Sequence, residues 1–328
     1  MAVSTTVRTM RDAWHYLNGI ACVYKPAGVS CQQVRHTLIT NLCRDINKLE
    51  QSPPRALVKI ERSLISTENE IEPSYEVSTV PNLTDLALVR GPGIVNNDVR
   101  LSWSNNLGPR VSGVMVLGIN RANAGLSKLK DSRPISVYQI KAQFGQATED
   151  HWHDGKIWEK TTSAHLKKSV VDAVLSSIQA TNQRNMFEYC GVNPTSQAAY
   201  ELASRGLLRP GGKSPPLLYG IKCIHFEPPD FTLEIHCINA NQKYLSTLVH
   251  ELGLELKTTA VCLQMRCTRY GYFKVEDSLL RNQWALDDLM ENMVACRDIL
   301  MHVPNVTANI AAYQIPPKVQ QTPNNEMN

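Results

Sequence analysis

The sequence lacks the compact motifs by which several large classes of enzyme are recognised. Neither of the glycine-rich phosphate-binding patterns, GxGxxG and GxxxxGK[ST], occurs in its 328 residues. The serine hydrolase pattern GxSxG and the zinc protease pattern HExxH are also missing. Nucleotide-dependent chemistry, serine hydrolysis and zinc-dependent proteolysis therefore have no support in the sequence.

The sequence also lacks long hydrophobic runs and paired cysteines. Its apolar stretch VSGVMVLGI is much shorter than the roughly 18 residues that a membrane-spanning helix needs. The nine cysteines are odd in number, scattered, and form no CxxC pair. This pattern favours reduced thiols over a disulfide framework, and it argues against a zinc site. We expect a protein without a membrane span, a disulfide bond or a bound metal.

Charge is balanced over the chain but not evenly distributed. Lys and Arg exceed Asp and Glu by 34 − 30 = 4 residues. Two segments combine basic and aromatic side chains, as RNA-binding surfaces do, because cations hold phosphates and rings stack on exposed bases. A solvated face over the edge of a core is the alternative interpretation. The segments are Arg205, Arg209, Lys213 and Lys222 with Tyr200, Tyr219 and Phe226, and Lys257, Arg266, Arg269 and Lys274 with Tyr270, Tyr272 and Phe273.

Hydrophobic periodicity predicts helices and strands without regular βαβ alternation. This mixture indicates an α+β fold with a mixed, mainly antiparallel sheet and flanking helices. The predicted strands are 20–24, 114–119 and 137–145, with a hairpin over 218–237 around a Pro-Pro-Asp turn. The predicted helices include 31–49, capped by Ser30, then 242–256 and 276–301.

Three regions depart from this pattern and suggest the domain organisation. Residues 1–17 carry arginines among hydroxyl side chains, which is typical of a short mitochondrial presequence. Residues 51–100 contain several prolines and an acidic patch, so we expect an insertion with partial order there. Residues 301–328 are rich in proline and polar residues and predict a disordered tail. A single catalytic-type domain would then occupy residues 18–300.

Four motifs in order resemble the TruB family of pseudouridine synthases. The resemblance covers residues 18–284, and EKTT at Glu159 and KSP at Lys213 resemble its animal mitochondrial branch. The resemblance implies the pseudouridine synthase fold with a central RNA-binding cleft and no cofactor. It also implies a location in the mitochondrial matrix. The implied partners are mitochondrial mRNA or tRNA and other RNA-processing proteins. The motifs are NGIACVYKPAGVS from Asn18, NLGPRVSGVMVLGINRA in the place of LDPxATGxL, VYQIKAQFGQATEDHWHDG from Val137, and YLSTLVHELG from Tyr244.

The resemblance also implies the site residues. In the family, an aspartate carboxylate acts on the nucleotide, an arginine pairs with that carboxylate, and a tyrosine holds the flipped base. The tyrosine corresponds to Tyr138, but Gly108 stands at the aspartate position and Ser246 at the arginine position. We therefore expect catalysis to be absent or severely impaired. The other expected RNA-binding residues are Tyr244, Arg205, Lys213 and Arg266.

The sequence leaves more than one interpretation of catalysis and function open. Another carboxylate, from Asp98, Asp131, Glu149 or Asp150, would have to replace the missing one for catalysis to persist, and nothing in their spacing favours any of them. The protein is then an RNA pseudouridine synthase, a catalytically inactive RNA-binding or assembly factor, or an interaction protein without affinity for RNA.

Overall fold

The computed structural model describes residues 9–50, 55–67, 70–204 and 215–301. The predicted presequence is covered only from Thr9 onward, and the predicted tail lies outside the described residues from position 302.

A mixed eight-stranded sheet forms the centre of the protein. Its order is β1-β5-β11-β6-β10-β9, with β4 beside β5 and β12 beside β11. Among the described strands, β11 and β5 form a parallel pair and the other pairings are antiparallel. The α+β architecture with a mainly antiparallel sheet is therefore confirmed. The strands are β1 Gly19–Lys25, β2 Ala56–Thr67, β3 Glu70–Pro81, β4 Leu101–Trp103, β5 Val111–Ile119, β6 Ser136–Phe144, β7 Gln146–Thr148, β8 Ile157–Lys160, β9 Leu217–Glu227, β10 Asp230–Ile238, β11 Ala260–Tyr270 and β12 Phe273–Lys274.

Helices flank this sheet. Helix α8 contacts β1, α7 contacts β11, and α5 contacts β9. The predicted cap of α2 is present, because Ser30 accepts from Gln33 N and the Gln33 side chain accepts from Ser30 N. The helices are α1 Met10–Tyr16, α2 Cys31–Asn47, α3 Ala87–Arg90, α4 Asn123–Asp131, α5 Lys168–Tyr189, α6 Gln197–Ser204, α7 Gln242–Glu255 and α8 Leu286–Met301.

The last helix begins ten residues later than the sequence predicts. Its expected start, Glu276, lies instead in a short 3₁₀ turn over Val275–Asp277. The next segment forms a parallel bridge with β1, in which Tyr24 N donates to Leu279 O at 2.8 Å and Leu279 N donates to Cys22 O at 3.0 Å. These tertiary hydrogen bonds hold the backbone extended, so helix propensity does not decide its conformation.

The predicted insertion at 51–100 contains two different structures. Strands β2 and β3 pair over their whole length in a two-stranded ribbon, so this part is more regular than expected. The following segment joins the core: Ile94 and Val99 are buried, and the Asn47 side chain on α2 bonds both Ile94 O and Ile94 N. Within the described residues of this region, the part around Ile94 and Val99 therefore belongs to the body of the domain, whereas the ribbon forms a separate two-stranded sheet.

None of the helices within the described ranges is long and apolar enough to cross a membrane.

Candidate active site

The loop 107–111 leads into β5, and the side chain of Lys25 binds its backbone. Lys25 ends β1 and is completely buried. Its Nζ donates to the carbonyl oxygens of Val111 at 2.7 Å, Pro26 at 3.0 Å and Pro109 at 3.2 Å. Burial lowers the pKa of Lys25 to about 8, since desolvation disfavours the ammonium form. The lysine of the opening motif therefore fixes the backbone conformation of this loop through hydrogen bonds.

Two further residues, one in the opening motif and one directly after it, bind the same loop. Gly28, with a φ of +82° that favours glycine, donates its N–H to Pro109 O at 2.9 Å. The Cys31 thiol donates to Leu107 O at 3.2 Å. The loop thus has a fixed backbone frame to which Gly108 contributes no side chain.

The space beside Gly108 is filled by Gln242 from the first turn of α7. A β-carbon added at Gly108 would collide with Gln242 Oε1 and would lie 2.7 Å from Gln242 Cβ. The same Oε1 accepts a hydrogen bond from Arg110 N at 3.2 Å. A neutral amide therefore occupies the place that a side chain at position 108 would enter.

Ser246 lies one turn further along α7 and does not face an acid. It is buried, and its hydroxyl donates to Lys243 O in the same helix at 3.0 Å. This internal hydrogen bond satisfies the buried hydroxyl without a partner from the loop.

A charged cluster adjoins the loop at Arg110. Its guanidinium forms ion pairs with Asp150 and with Asp154, the latter at 3.2 Å, and lies 5.4 Å from the centre of the Trp152 ring. Desolvation alone raises the pKa of Asp150, but the hydrogen bonds from Arg110 and Trp152 N and the charge of Arg110 outweigh it, so the pKa is lowered. Asp150 is ionised and bound to this arginine.

Of the four alternative carboxylates, only Asp150 is bound to the loop in the described structure. Asp98 accepts from Val95 N in its own turn, before β4. Asp131 ends α4, which follows the far end of β5. Glu149 is exposed, and its N–H pairs with Lys156 O across the β7–β8 turn.

A pair of stacked histidines adjoins this cluster. The rings of His151 and His250 are 4.4 Å apart and 18° from parallel. Burial, followed by the charge of His250, lowers the pKa of His151 despite the nearby Asp150 and Glu251 carboxylates. His151 also has a positive φ of 61°, which links it to the tight turn after β7.

Tyr138 is the third residue of β6, and 5% of its surface is exposed. Burial, with smaller contributions from Cys267, Cys237 and Tyr270, raises its pKa well above the ordinary value, so the hydroxyl stays protonated. The ring is part of the hydrophobic core in this structure. A flipped base can reach it only if neighbouring side chains move.

Tyr244 approaches the same region from α7. It is half-buried, and its N–H is capped by Asn241 Oδ1 at 2.8 Å. Burial, followed by the charges of Cys237 and Glu251, raises the pKa of Tyr244 to about 12. Tyr138 belongs to the same hydrophobic core against which Tyr244 packs.

Arg266 belongs to a different surface. It pairs in register with Gln139, whereas Cys267 pairs with Tyr138. Because successive strand residues point to opposite faces, Arg266 and Tyr138 lie on opposite sides of the sheet. Arg266 is exposed, with its guanidinium 5.4 Å from the centre of the Tyr24 ring. The other two predicted RNA-binding cations, Arg205 and Lys213, lie outside the described residues.

Several residues of this site were not singled out by sequence reasoning. Lys25 lies within the motif NGIACVYKPAGVS, but that pattern does not show that its side chain holds loop 107–111. Gln242 and Arg110 are 132 residues apart and meet only after folding. The one available signal was the charged residue Arg110 inside the motif, with acids in the following TEDHWHDG segment.

Comparison with protein families identifies similar proteins over most of the chain. The model described as TruB family pseudouridylate synthase (N terminal domain) matches residues 95–242. Pseudouridylate synthase TRUB2, mitochondrial, from Xenopus tropicalis is 41% identical over 281 residues, which cover 86% of each chain. The Homo sapiens protein of the same name is 36% identical over 275 residues, covering 84% of this chain and 82% of its own.

Similarity to solved structures is more distant. An archaeal box H/ACA sRNP Nop10-Cbf5 complex matches with a TM-score of 0.48 and 14% identity over 88% of this chain. The present chain spans only 63% of the length of that protein.

Proposed function

This chain belongs to the TruB family of pseudouridine synthases, and on that premise we propose that it is a mitochondrial RNA-binding member in which isomerisation of uridine is lost or severely impaired. The observation that carries the proposal is Gly108, which has no side chain at the position of the family's aspartate and has the Gln242 amide against it. Tyr138 and the loop frame that Lys25 maintains support descent from a working site.

The chemistry explains why this loss is decisive. Formation of pseudouridine breaks the bond between the ribose and the base nitrogen and rejoins the base through carbon, and the family's aspartate acts on the nucleotide during these steps. Gln242 is neutral, and its amide is a poor nucleophile in place of a carboxylate. Gly108 therefore leaves the reaction without its central group.

The change at position 246 is consistent with the change at 108. A buried arginine that has lost its carboxylate would be an uncompensated charge and would cost about 3–5 kcal/mol. Ser246 avoids that cost, since its hydroxyl is satisfied by Lys243 O. The changes at positions 108 and 246 thus remove together a buried ion pair that only a catalytic site would require.

RNA remains the proposed partner, with Tyr138 and Tyr244 as contacts for an extruded base and Arg205, Lys213 and Arg266 as contacts for the phosphate backbone. Support comes from the family, whose members modify RNA, and from basic and aromatic residues in the same segments. Mitochondrial mRNA or tRNA is the proposed RNA, and other RNA-processing proteins of the matrix are proposed as further partners. The relatives named mitochondrial and the composition of residues 1–17 support that location.

The central test is incubation of the purified full-length protein with uridine-containing RNA, followed by detection of pseudouridine. Wild type should form little or none. Gly108→Asp alone should restore little, because the new carboxylate meets Gln242 and lacks a cation. Gly108→Asp with Ser246→Arg should do better than either single change, and adding Gln242→Ser should raise turnover further, because the residues act as a unit.

The matched control replaces Lys243, the exposed neighbour of Gln242, by serine in the same double variant. That substitution should not reproduce the gain from Gln242→Ser. Robust turnover by wild type, unaffected by substitutions at Gly108, would contradict the proposed loss of catalysis.

Retained catalysis through Asp150 is the second candidate, because this ionised carboxylate is bound through Arg110 to the loop that contains Gly108. It predicts that wild type is active and that Asp150→Asn abolishes the activity.

RNA binding is tested separately from catalysis. Affinity for a structured RNA should fall as salt rises, because bound lysines and arginines displace condensed counterions. Fluorescence anisotropy of a labelled tRNA at a series of potassium chloride concentrations measures this slope. Absence of binding at low salt, or an affinity independent of salt, would favour an interaction protein without an RNA partner.

A further inference from the structure

A cleft lies at the opposite end of β5 from the Gly108 loop. It has a volume of about 300 Å³ and is lined by Trp14, His15, Asn18, Arg100, Asn120 and Arg121, together with Asp98. Since β5 is nine residues long and a strand rises ~3.3 Å per residue, the two sites are separated by ~27 Å. This cleft is thus distinct from the uridine site.

The cleft has a rigid frame built from side-chain to backbone hydrogen bonds. Asn120, at a positive φ of 51°, donates its amide to Leu17 O at 2.8 Å and accepts from Arg100 N at 3.0 Å. Asn18 accepts from Arg121 N at 3.2 Å and donates to His15 O at 2.8 Å. The end of α1, the start of β4 and the turn after β5 are therefore fixed to one another before any ligand arrives.

Two strong recognition groups remain available within that frame. Within the ranges the structure describes, no hydrogen bond or ion pair engages the Arg100 guanidinium or the Trp14 indole N–H. Arg100 is exposed, and Trp14 is partly buried against the core. An unpaired guanidinium beside an accessible indole ring suits a ligand that carries both an anion and a flat ring.

The charge of the cleft favours an anion. Arg100 and Arg121 contribute two permanent positive charges. Asp98 supplies a negative charge, and its carboxylate is turned to Val95 N at 2.9 Å in its own loop. These three side chains together carry a net positive charge.

We propose that this cleft binds one nucleotide unit, with the base stacked on Trp14 and the phosphate held by Arg100 beside the charge of Arg121. The volume of about 300 Å³ is at the lower end of the range for small-ligand sites, which fits one nucleotide. Each of the Asn18 and Asn120 amides uses one donor and one acceptor on the frame, which fixes its orientation before a ligand binds. The site accepts any base and recognises stacking surface and phosphate.

A free nucleotide and a nucleotide within a single-stranded RNA present this same chemistry. The experiment therefore uses the full-length protein with two probes, uridine 5′-monophosphate and an octauridylate labelled at one end. Quenching of tryptophan fluorescence reports the first probe and anisotropy reports the second. Arg100→Ala should weaken binding at this cleft by at least tenfold, and Trp14→Leu should remove the saturable part of the fluorescence quenching.

The matched control is Arg184→Ala, which removes an exposed arginine of α5, the helix that contacts β9 at the other edge of the sheet. Binding of both probes with loss in Arg100→Ala alone supports the site with free nucleotide as a ligand. Binding of octauridylate only, with the same loss, supports the site with RNA as the ligand. Equal affinities in Arg100→Ala and Arg184→Ala, or no saturable binding of either probe, would overturn the proposal.

Failure here does not decide the proposed function. The uridine site is tested with structured RNA and with substitutions at Gly108, Gln242 and Ser246, about 27 Å from Arg100 by the same strand rise. Arg100→Ala should also keep the wild-type melting temperature, since only the backbone of Arg100 is bonded in the frame. A cleft variant that fails to bind while remaining folded is therefore informative by itself.

Discussion

The buried ammonium of Lys25 maintains a loop whose catalytic group is gone. Three carbonyl oxygens on two segments accept its hydrogen bonds, and two of them belong to the loop around Gly108. Because hydrogen bonds from a charged donor in a buried site contribute about 1.5–3 kcal/mol each, the frame does not depend on a side chain at position 108. The loop can therefore keep its shape after the loss of its aspartate.

This burial predicts a pH-dependent contribution of Lys25 to stability. Its pKa is about 8 in the folded protein and 10.5 ordinarily, so between these values the unfolded chain binds more protons. The free energy of unfolding due to this group then rises with pH, by about 1–2 kcal/mol between pH 7.5 and 9.5. Urea denaturation of wild type and Lys25→Met at both pH values should show a stability difference that grows with pH.

The comparison of two variants removes the contribution of other titrating groups. Cysteines have an ordinary pKa of 9.0, so in the unfolded chain they titrate in the same range, but they are common to both proteins. Lys141→Met, which replaces an exposed lysine of β6, should show no growing difference. A difference for Lys25→Met that is the same at pH 7.5 and 9.5 would mean that its pKa is not lowered.

At the scale of single residues, sequence reasoning could find the missing groups but not their replacements. Gly108 and Ser246 are departures from motifs that are still recognisable by several of their other letters, so both changes are visible in one sequence. The Gln242 side chain against Gly108, and the ion pair between Arg110 and Asp150, join residues 134 and 40 positions apart. Such contacts follow from the packing of α7 and the β7–β8 turn on the sheet, which local patterns do not specify.

Secondary structure was predictable where a local signal and the tertiary contacts agree. Helix α2 combines the Ser30 capping box with a buried stripe at every fourth residue, Val34, Leu38, Leu42 and Ile46, and it forms as predicted. The predicted start of α8 was wrong, because the bridge between β1 and Leu279 holds this segment in an extended conformation. The β2–β3 ribbon was missed because its prolines and acids, typical of loops, obscured the alternation of apolar residues.

The ribbon contributes little to the core. One of its faces carries Val58, Ile60, Tyr75 and Val77, which are 60–69% exposed. The opposite face sets Glu61 directly across from Glu76, a pairing of like charges that destabilises a strand pair. A two-stranded hairpin of this kind has little stability by itself, so the body of the domain should not depend on it.

Removal of the ribbon should therefore leave the domain folded. Its ends are adjacent, because Ala56 pairs with Pro81 and Asn82 N donates to Arg55 O at 2.8 Å, so Gly-Gly can replace residues 56–81. The melting temperature should change by less than about 2 °C, which corresponds to roughly 1 kcal/mol in a domain of this size. Differential scanning calorimetry of the two proteins measures the change.

Two matched point variants compare the stability cost of a substitution in the ribbon with the cost of one in the core. Val77→Ala in the ribbon should cost less than about 0.5 kcal/mol, whereas Val116→Ala in the centre of β5 should cost about 2 kcal/mol, because Val116 is completely buried. Loss of cooperative unfolding on deletion of the ribbon would show that its apolar face packs against the body.

At the scale of the whole molecule, one sheet connects every site described above. Its β5 strand begins at the Gly108 loop and ends at the nucleotide cleft, while β6 and β11 place Tyr138 on one face and Arg266 on the other. The rigidity of this sheet rests on a continuous core to which the cysteines belong. Eight of the nine cysteines are buried, and Cys190 at the end of α5 is partly exposed.

The distribution of the thiols predicts their reactivity. Burial raises the pKa of Cys22, Cys262 and Cys267 to about 12, so these thiols are neither accessible nor ionised at pH 8. Reaction of the native protein with Ellman's reagent should give one rapid equivalent from Cys190, followed by slow reaction limited by opening of the core. Unfolding in urea without reductant should release nine equivalents, since all nine cysteines are free. Cys190→Ser should abolish the rapid phase and leave the slow one unchanged. Two or more rapid equivalents in the folded protein would show that the core around the sheet opens readily, and a total below nine would reveal a disulfide bond.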